Sequence, residues 1–140
     1  MMIKKVLLEI KSRYIIAGEE EVMEFEIPGA YELQNGVHKV EYEERLTETK
    51  GRIKNTLIFS DEKAEIIRKG FINSRMIFSE ADKNTSSYYT TPYGALEMEI
   101  QTYKVNIDEN EDYILVKAHY LISIDKKPSS ECRLMFKIKW

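Results

Sequence analysis

Apolar and polar residues alternate with a period of two along almost the whole chain, and that rhythm leaves little room for anything but strands. Successive strand side chains point to opposite faces, so one face can meet a core while the other meets water. In the first segment Val6, Leu8, Ile10, Ser12, Tyr14 and Ile16 share a face, with Lys5, Glu9, Lys11 and Arg13 mostly on the other. Met23, Phe25 and Ile27 oppose Glu24 and Glu26 in the second. Pro28-Gly29 interrupts that run; proline lacks a ladder donor, which predicts a bulge or bend before Tyr31 and Leu33. Asn35-Gly36 then predicts a type I′ hairpin, whose two central positions need positive φ. The returning strand sets His38, Val40, Tyr42, Glu44 and Leu46 on one face, and Lys50-Gly51 reads as the next turn.

Ile53, Asn55, Leu57 and Phe59 make a further inward row, followed by a turn over Ser60–Lys63. Ala64–Gly70 is short and contains Ile66-Ile67, which favours a strand over a helix. Met76 and Phe78 point inward from the next strand. From Ser79 to Thr91 the alternation fails, and the small polar residues up to Ser87 predict a loop, a lid or plug over one end when joined to Tyr88 and Tyr89. Regularity returns with Leu96, Met98, Ile100 and Thr102, then with Ile114, Val116, Ala118, Tyr120, Ile122 and Ile124. The last strand places Cys132, Leu134, Phe136, Ile138 and Trp140 inside, with Arg133, Lys137 and Lys139 outside. Many strands at short spacing predict an all-β fold, a single antiparallel β-barrel of about 8–10 strands over residues 1–140, with a sandwich as the other solution. The barrel is favoured because the long first and last strands can pair and help close the sheet.

The formal charge of −3 gives no overall attraction for nucleic acid or an anionic membrane. A lone cysteine, Cys132, excludes an internal disulfide and suits a reducing compartment. The apolar run Val6-Leu7-Leu8 stops at Glu9, short of the roughly 7–15 residues of a signal-peptide core. No stretch approaches the ~18 apolar residues of a membrane helix. A cytoplasmic protein without a membrane partner is expected.

Chemistry-bearing motifs are few. Two histidines, His38 and His119, and one cysteine do not make the three or four ligands a zinc-type site needs, so no metal or other cofactor is expected. His119 falls on the outer, solvated face and His38 near a rim. There is no GxSxG elbow, GxGxxG or P-loop, and Cys132 lies in register with buried neighbours, so no catalytic residue is assigned. More informative are polar residues on inward rows: Glu44 after Tyr42, Asn55 between Ile53 and Leu57, and Arg68 after Ile66. A charge withdrawn from water costs several kcal/mol unless paired. Glu44 and Arg68 therefore sit at a wet rim, form an internal ion pair, or face a ligand. Tyr88, Tyr89 and Tyr93 suit a pocket mouth, since each ring carries one hydrogen-bonding tip. Tyr42, Glu44, Arg68, Tyr89 and Tyr93 are the candidate ligand-binding residues.

The segment Tyr89-Thr90-Thr91-Pro92-Tyr93-Gly94-Ala95-Leu96-Glu97, followed by Thr102, resembles the YwiB-like family of uncharacterised bacterial proteins. So do Phe25-x-x-Pro28-Gly29-x-Tyr31, Tyr42-Glu43-Glu44, Ile66-x-Arg68-x-Gly70 and the strand Tyr113–Ile124, in a constant order over nearly the whole chain. The resemblance implies a calycin-like, lipocalin-like barrel of the bacterial cytoplasm and no established activity. Some members carry a histidine near the final strand, where this chain has Ser129-Ser130-Glu131-Cys132, so no role is carried over for it.

The leading expectation is a non-catalytic barrel binding a small amphipathic or anionic ligand at one end. Inward Phe25, Tyr31, Tyr42, Phe59, Phe78, Tyr120, Phe136 and Trp140 should fill most of the lumen, leaving a shallow pocket near the mouth. The alternative is a protein-interaction module, as a homodimer or with another partner, using the charged outer strands. Basic residues of the terminal strands lie there beside Glu24, Glu26, Glu41 and Glu43. Nucleic acid fits less well, because the basic seam offers few outward aromatic rings.

Overall fold

The computed structural model describes residues 3–46 and 51–140. Ten strands follow one another: β1 (Lys4–Ile16), β2 (Glu19–Gln34), β3 (Val37–Leu46), β4 (Gly51–Ser60), β5 (Lys63–Gly70), β6 (Ser74–Ser79), β7 (Asn84–Thr91), β8 (Gly94–Glu109), β9 (Tyr113–Ile124) and β10 (Lys127–Lys139). They form one antiparallel sheet in the order β6-β5-β4-β3-β2-β1-β10-β9-β8-β7, curled until its two edges nearly meet. The predicted turn at Lys50 lies outside the described residues. At the β2–β3 hairpin Asn35 and Gly36 both have positive φ, as a type I′ turn requires.

The first and last strands do pair, from Leu7 opposite Lys139 to Ile15 opposite Glu131. They lie in the middle of the sheet, however, and the incomplete seam falls between β6 and β7. There a single bridge joins Asn73 and Thr90, each backbone N–H donating to the other's carbonyl at 2.9 and 2.8 Å. Hydroxyls finish the closure: Thr85 Oγ1 donates to the Ile77 carbonyl and Ser87 Oγ to that of Arg75. The predicted loop over Ser79–Ser87 is thus confined to 80–83, with strand on either side. Within β7, Thr85, Ser87 and Tyr89 lie opposite Ile100, Met98 and Leu96 of β8, continuing the inward rows with hydroxyls where the alternation pattern looks for hydrocarbon.

Leu8, Val40, Leu57, Phe59, Ile114 and Ile138 are almost fully buried and pack in one core with Phe78, Val116 and Phe136. One end is stopped by rings. His38 stacks on Phe59 at 4.5 Å between centroids, shares a 2.7 Å hydrogen bond between its Nδ1 and the Tyr31 hydroxyl, and is buried at this end beside the β2–β3 turn. Trp140 covers Tyr31 from outside; it is 46% exposed and donates from Nε1 to the Glu111 carbonyl, so it caps the end and does not fill the lumen.

No register shift occurs at Pro28-Gly29: the β1–β2 ladder runs unbroken through Leu7 opposite Pro28. What changes there is the partner, because pairing of β2 with β3 begins at Ala30. A shift does occur in β8, where Thr102 pairs with Tyr120 but Lys104 with His119. The extra residue, Tyr103, puts itself and Lys104 together on the outer face.

Candidate functional site

Register assembles the site. Tyr42 of β3 lies opposite Asn55 of β4, Asn55 opposite Arg68 of β5, and Arg68 opposite Ser74 of β6. Four polar side chains therefore form one inward row across four adjacent strands, two residues along from the apolar row Val40, Leu57, Ile66 and Met76. Glu44 sits one inward step further toward the open end on β3. Gly70 makes this edge possible. Its φ is +133° and a Cβ there would lie 2.1 Å from the Arg52 carbonyl oxygen, so β5 can leave the sheet directly after Arg68-Lys69 only with glycine.

Asn55 is the hinge of the network. It is 1% exposed, donates from Nδ2 to Glu44 Oε1 at 2.8 Å, and accepts at Oδ1 from Arg68 Nε at 3.3 Å. Arg68 Nη2 lies 3.5 Å from the same Glu44 oxygen. The two charged side chains keep 26% and 28% of their surface, so the pair is neither dry nor free in water. A guanidinium has five N–H donors, and these contacts engage two nitrogens, leaving donors to spare among the described residues. Burial first, and then the Glu44 charge, push the Tyr42 phenol above its ordinary range, while Arg68 pulls it the other way. Ser74 is 8% exposed, and its Oγ is the one buried side-chain oxygen or nitrogen among the described residues with no hydrogen-bond partner. Leaving such a group unpaired costs about 1–3 kcal/mol.

These residues line a cavity of about 520 Å³ at the barrel end opposite the His38–Trp140 stopper. Tyr42, Glu44, Asn55, Arg68, Ser74 and Tyr89 all contribute to its wall. The remaining wall is largely hydrocarbon and thioether, with Met23, Met76 and Met98 among it. Deeper in, a gap of only about 10 Å³ remains between Leu57, Phe78, Val116 and Phe136, so the bulky rings do close that part of the lumen. On the opposite wall Tyr14, Cys132, Tyr120 and Thr102 make a second polar row by register. Two of its groups are engaged by neighbours: Ser130 Oγ and Cys132 Sγ lie 3.0 Å apart, and Thr102 Oγ1 accepts from the Ser79 amide. Burial raises the Cys132 thiol and, with the neighbouring thiol, the Tyr120 phenol.

Of the five candidates read from the sequence, Tyr42, Glu44, Arg68 and Tyr89 meet in this cavity. Tyr93 does not; it is 96% exposed at the tip of the β7–β8 hairpin. Asn55 was legible as polar on an inward row. Ser74 was not, since a serine after a glycine-containing turn carries no signal until the Arg68–Ser74 register is known.

The outer face carries a second constellation. Arg13 lies opposite Arg133, Arg133 opposite His119, and His119 opposite Lys104. Arg13 pairs with Glu20 at 2.9 Å and His119 with Glu131 at 2.7 Å, so His119 is held in a contact and is only half exposed.

The sequence profile of a family described as "Domain of unknown function (DUF1934)" matches residues 8–136. The fold is similar to that in the crystal structure of ywiB protein from Bacillus subtilis, with a TM-score of 0.86 and 20% sequence identity over 98% of this chain and 92% of that one. No curated protein matches the chain significantly.

Proposed function

The chain belongs to the DUF1934 family, and from that premise we propose that its barrel is a non-catalytic binding module that takes a small amphipathic or anionic ligand at its open end. One observation carries the reading: a half-wet polar network lines a 520 Å³ cavity beside a buried hydroxyl that has no partner among the described residues, and the remaining wall is largely hydrocarbon and thioether. Ligand sites combine those elements, an apolar body with a few placed polar groups, within about 300–1,000 Å³. At about 30 Å³ per water-sized group, a guest of roughly 15 non-hydrogen atoms fits. A calycin-like assignment and a cytoplasmic setting accord with this picture, since the buried thiol of Cys132 suits a reducing compartment. Charged residues along the outer faces of β1 and β10 argue against lipid contact.

Prodan, a small neutral solvatochromic dye, tests the reading together with native mass spectrometry of the protein as isolated. Blue-shifted emission is expected with the wild type and weakened with Arg68→Ala, whose melting point should fall by only a few degrees because Arg68 keeps a quarter of its surface. A bare polypeptide mass together with unshifted dye emission would sink the proposal.

The second reading, an interaction module, rests on the outer basic row. Arg13 directly opposite Arg133 is a like-charge cross-strand pair, which destabilises a sheet unless something anionic answers it; Glu20 answers Arg13, while Arg133 has no ion-pair partner among the described residues. Sizing chromatography at low and high salt checks it, with a salt-labile dimer or complex as the outcome in its favour.

A further inference from the structure

The charges around the cavity constrain the guest more closely than its volume does. We propose that the cavity selects a neutral head group offering both a hydrogen-bond donor and an acceptor, such as a carboxamide, over a carboxylate of the same length. This rests on the binding reading above and narrows it.

Among the described residues the lining contains one cation and one anion, Arg68 and Glu44, and they already answer each other at 3.5 Å. A ligand carboxylate brought to the guanidinium would come to rest beside the Glu44 carboxylate as well. Its attraction to one is offset by its repulsion from the other, and the loss of its own hydration goes uncompensated. Moreover, Glu44 cannot be displaced cheaply, since Asn55 holds Oε1 at 2.8 Å from a position that is itself almost wholly buried. A neutral amide meets none of this. Its carbonyl can accept from the spare guanidinium donors, and its N–H₂ can donate to the carboxylate or to Ser74 Oγ. Ser74 lies opposite Arg68 across the β5–β6 ladder and its hydroxyl has no partner among the described residues, so it can act as donor or acceptor. The apolar tail then runs along the methionine-rich wall, where flexible thioethers adapt to shape.

Isothermal titration calorimetry of octanamide and octanoate near neutral pH tests the choice directly. In the wild type the amide should bind at least about tenfold more tightly, a ratio well above experimental error. Glu44→Gln removes the anion while its amide oxygen can still accept from Asn55; the preference should then invert, with octanoate gaining about tenfold or more. Ser74→Ala should weaken octanamide while leaving the protein at least as stable as before, because an unpaired buried hydroxyl is deleted. Equal or tighter binding of octanoate to the wild type, still sensitive to Ser74→Ala, would overturn the neutral-head inference and leave the binding reading standing. Amide binding indifferent to Ser74→Ala would overturn the inference by placing the guest elsewhere. If neither compound binds, both readings fall. The wild-type comparison decides the matter even if Glu44→Gln does not fold.

Discussion

Asn55→Ala probes whether Glu44, Asn55 and Arg68 are a built network or three side chains that happen to be near one another. The substitution deletes the 2.8 Å bond to Glu44 and the 3.3 Å bond from Arg68, and leaves a void at a position that is 1% exposed. Hydrogen bonds to charged groups contribute about 1.5–3 kcal/mol each. The longer contact belongs at or below the low end of that range. Glu44 and Arg68 keep about a quarter of their surface and can recover some hydration, which discounts the sum further. A net loss of about 2–3 kcal/mol follows, equivalent to a fall in melting temperature of roughly 6–12 °C for a domain of this size. Urea titration followed by near-ultraviolet circular dichroism measures it. Asn55→Asp supplies the second arm. A carboxylate placed beside Glu44 forces one of the two to hold its proton, so one folded-state pKa rises above the unfolded value of about 4. A raised carboxyl pKa gives stability that is present at low pH and lost as pH rises through the folded value. The gap between Asn55→Asp and wild type should therefore widen from about pH 5 to about pH 8. An Asn55→Ala midpoint indistinguishable from wild type would show that the network holds nothing, and the argument from it would fail.

Two further outcomes follow from the same structure. The phenols of Tyr42 and Tyr120 and the Cys132 thiol are all raised, chiefly by burial. Their neutral forms therefore contribute stability that is whole below the unfolded pKa values and is lost as pH climbs through the folded ones. In an absorbance titration of the nine tyrosines, Tyr42 and Tyr120 should ionise only as the fold is lost, and native Cys132 should resist alkylation at neutral pH; a single tyrosinate wave near pH ~10 with the fold intact would contradict this. Gly70→Ala should destabilise by more than about 3 kcal/mol, because its Cβ meets backbone at 2.1 Å, whereas Gly36→Ala, which meets nothing, should cost about 1–2 kcal/mol for its positive φ alone. Equal urea midpoints for the two variants would refute that reasoning.

Most of the barrel is readable in the chain because its inward rows are hydrocarbon. β7 is the exception that shows why: its inward positions are Thr85, Ser87 and Tyr89, and two of the three use their hydroxyls to close the seam on β6. Alternation of burial persists there without alternation of hydropathy. Trp140 fails for another reason. Period two continues to the last residue, but the strand has left the core by then, and the indole finds its partner in the turn before β9. Within the site, Glu44 and Arg68 stand out as charges on apolar rows, whereas Ser74 depends on a register set by the turn between β5 and β6. Tyr93 shares a motif with Tyr89 but sits beyond the strand's end, where no face is inward. The bulge at Tyr103 is equally silent in the sequence, and it decides that Lys104 joins the outer basic row.

The two polar rows of the lumen differ in a way that bears on why either exists. A polar group inside a barrel is an expense unless it is bonded, and apolar residues of like volume would often serve stability as well or better. The row through Tyr14, Cys132, Tyr120 and Thr102 comes nearer to that condition, with its thiol beside the Ser130 hydroxyl and its threonine hydroxyl accepting from the Ser79 amide. The row through Tyr42, Asn55, Arg68 and Ser74 does not: among the described residues one hydroxyl is unpartnered and a guanidinium has donors left over, both beside the 520 Å³ cavity. Structural need explains the first row. It does not explain the second, whose shortfall in hydrogen bonds has the size and chemistry of one small head group.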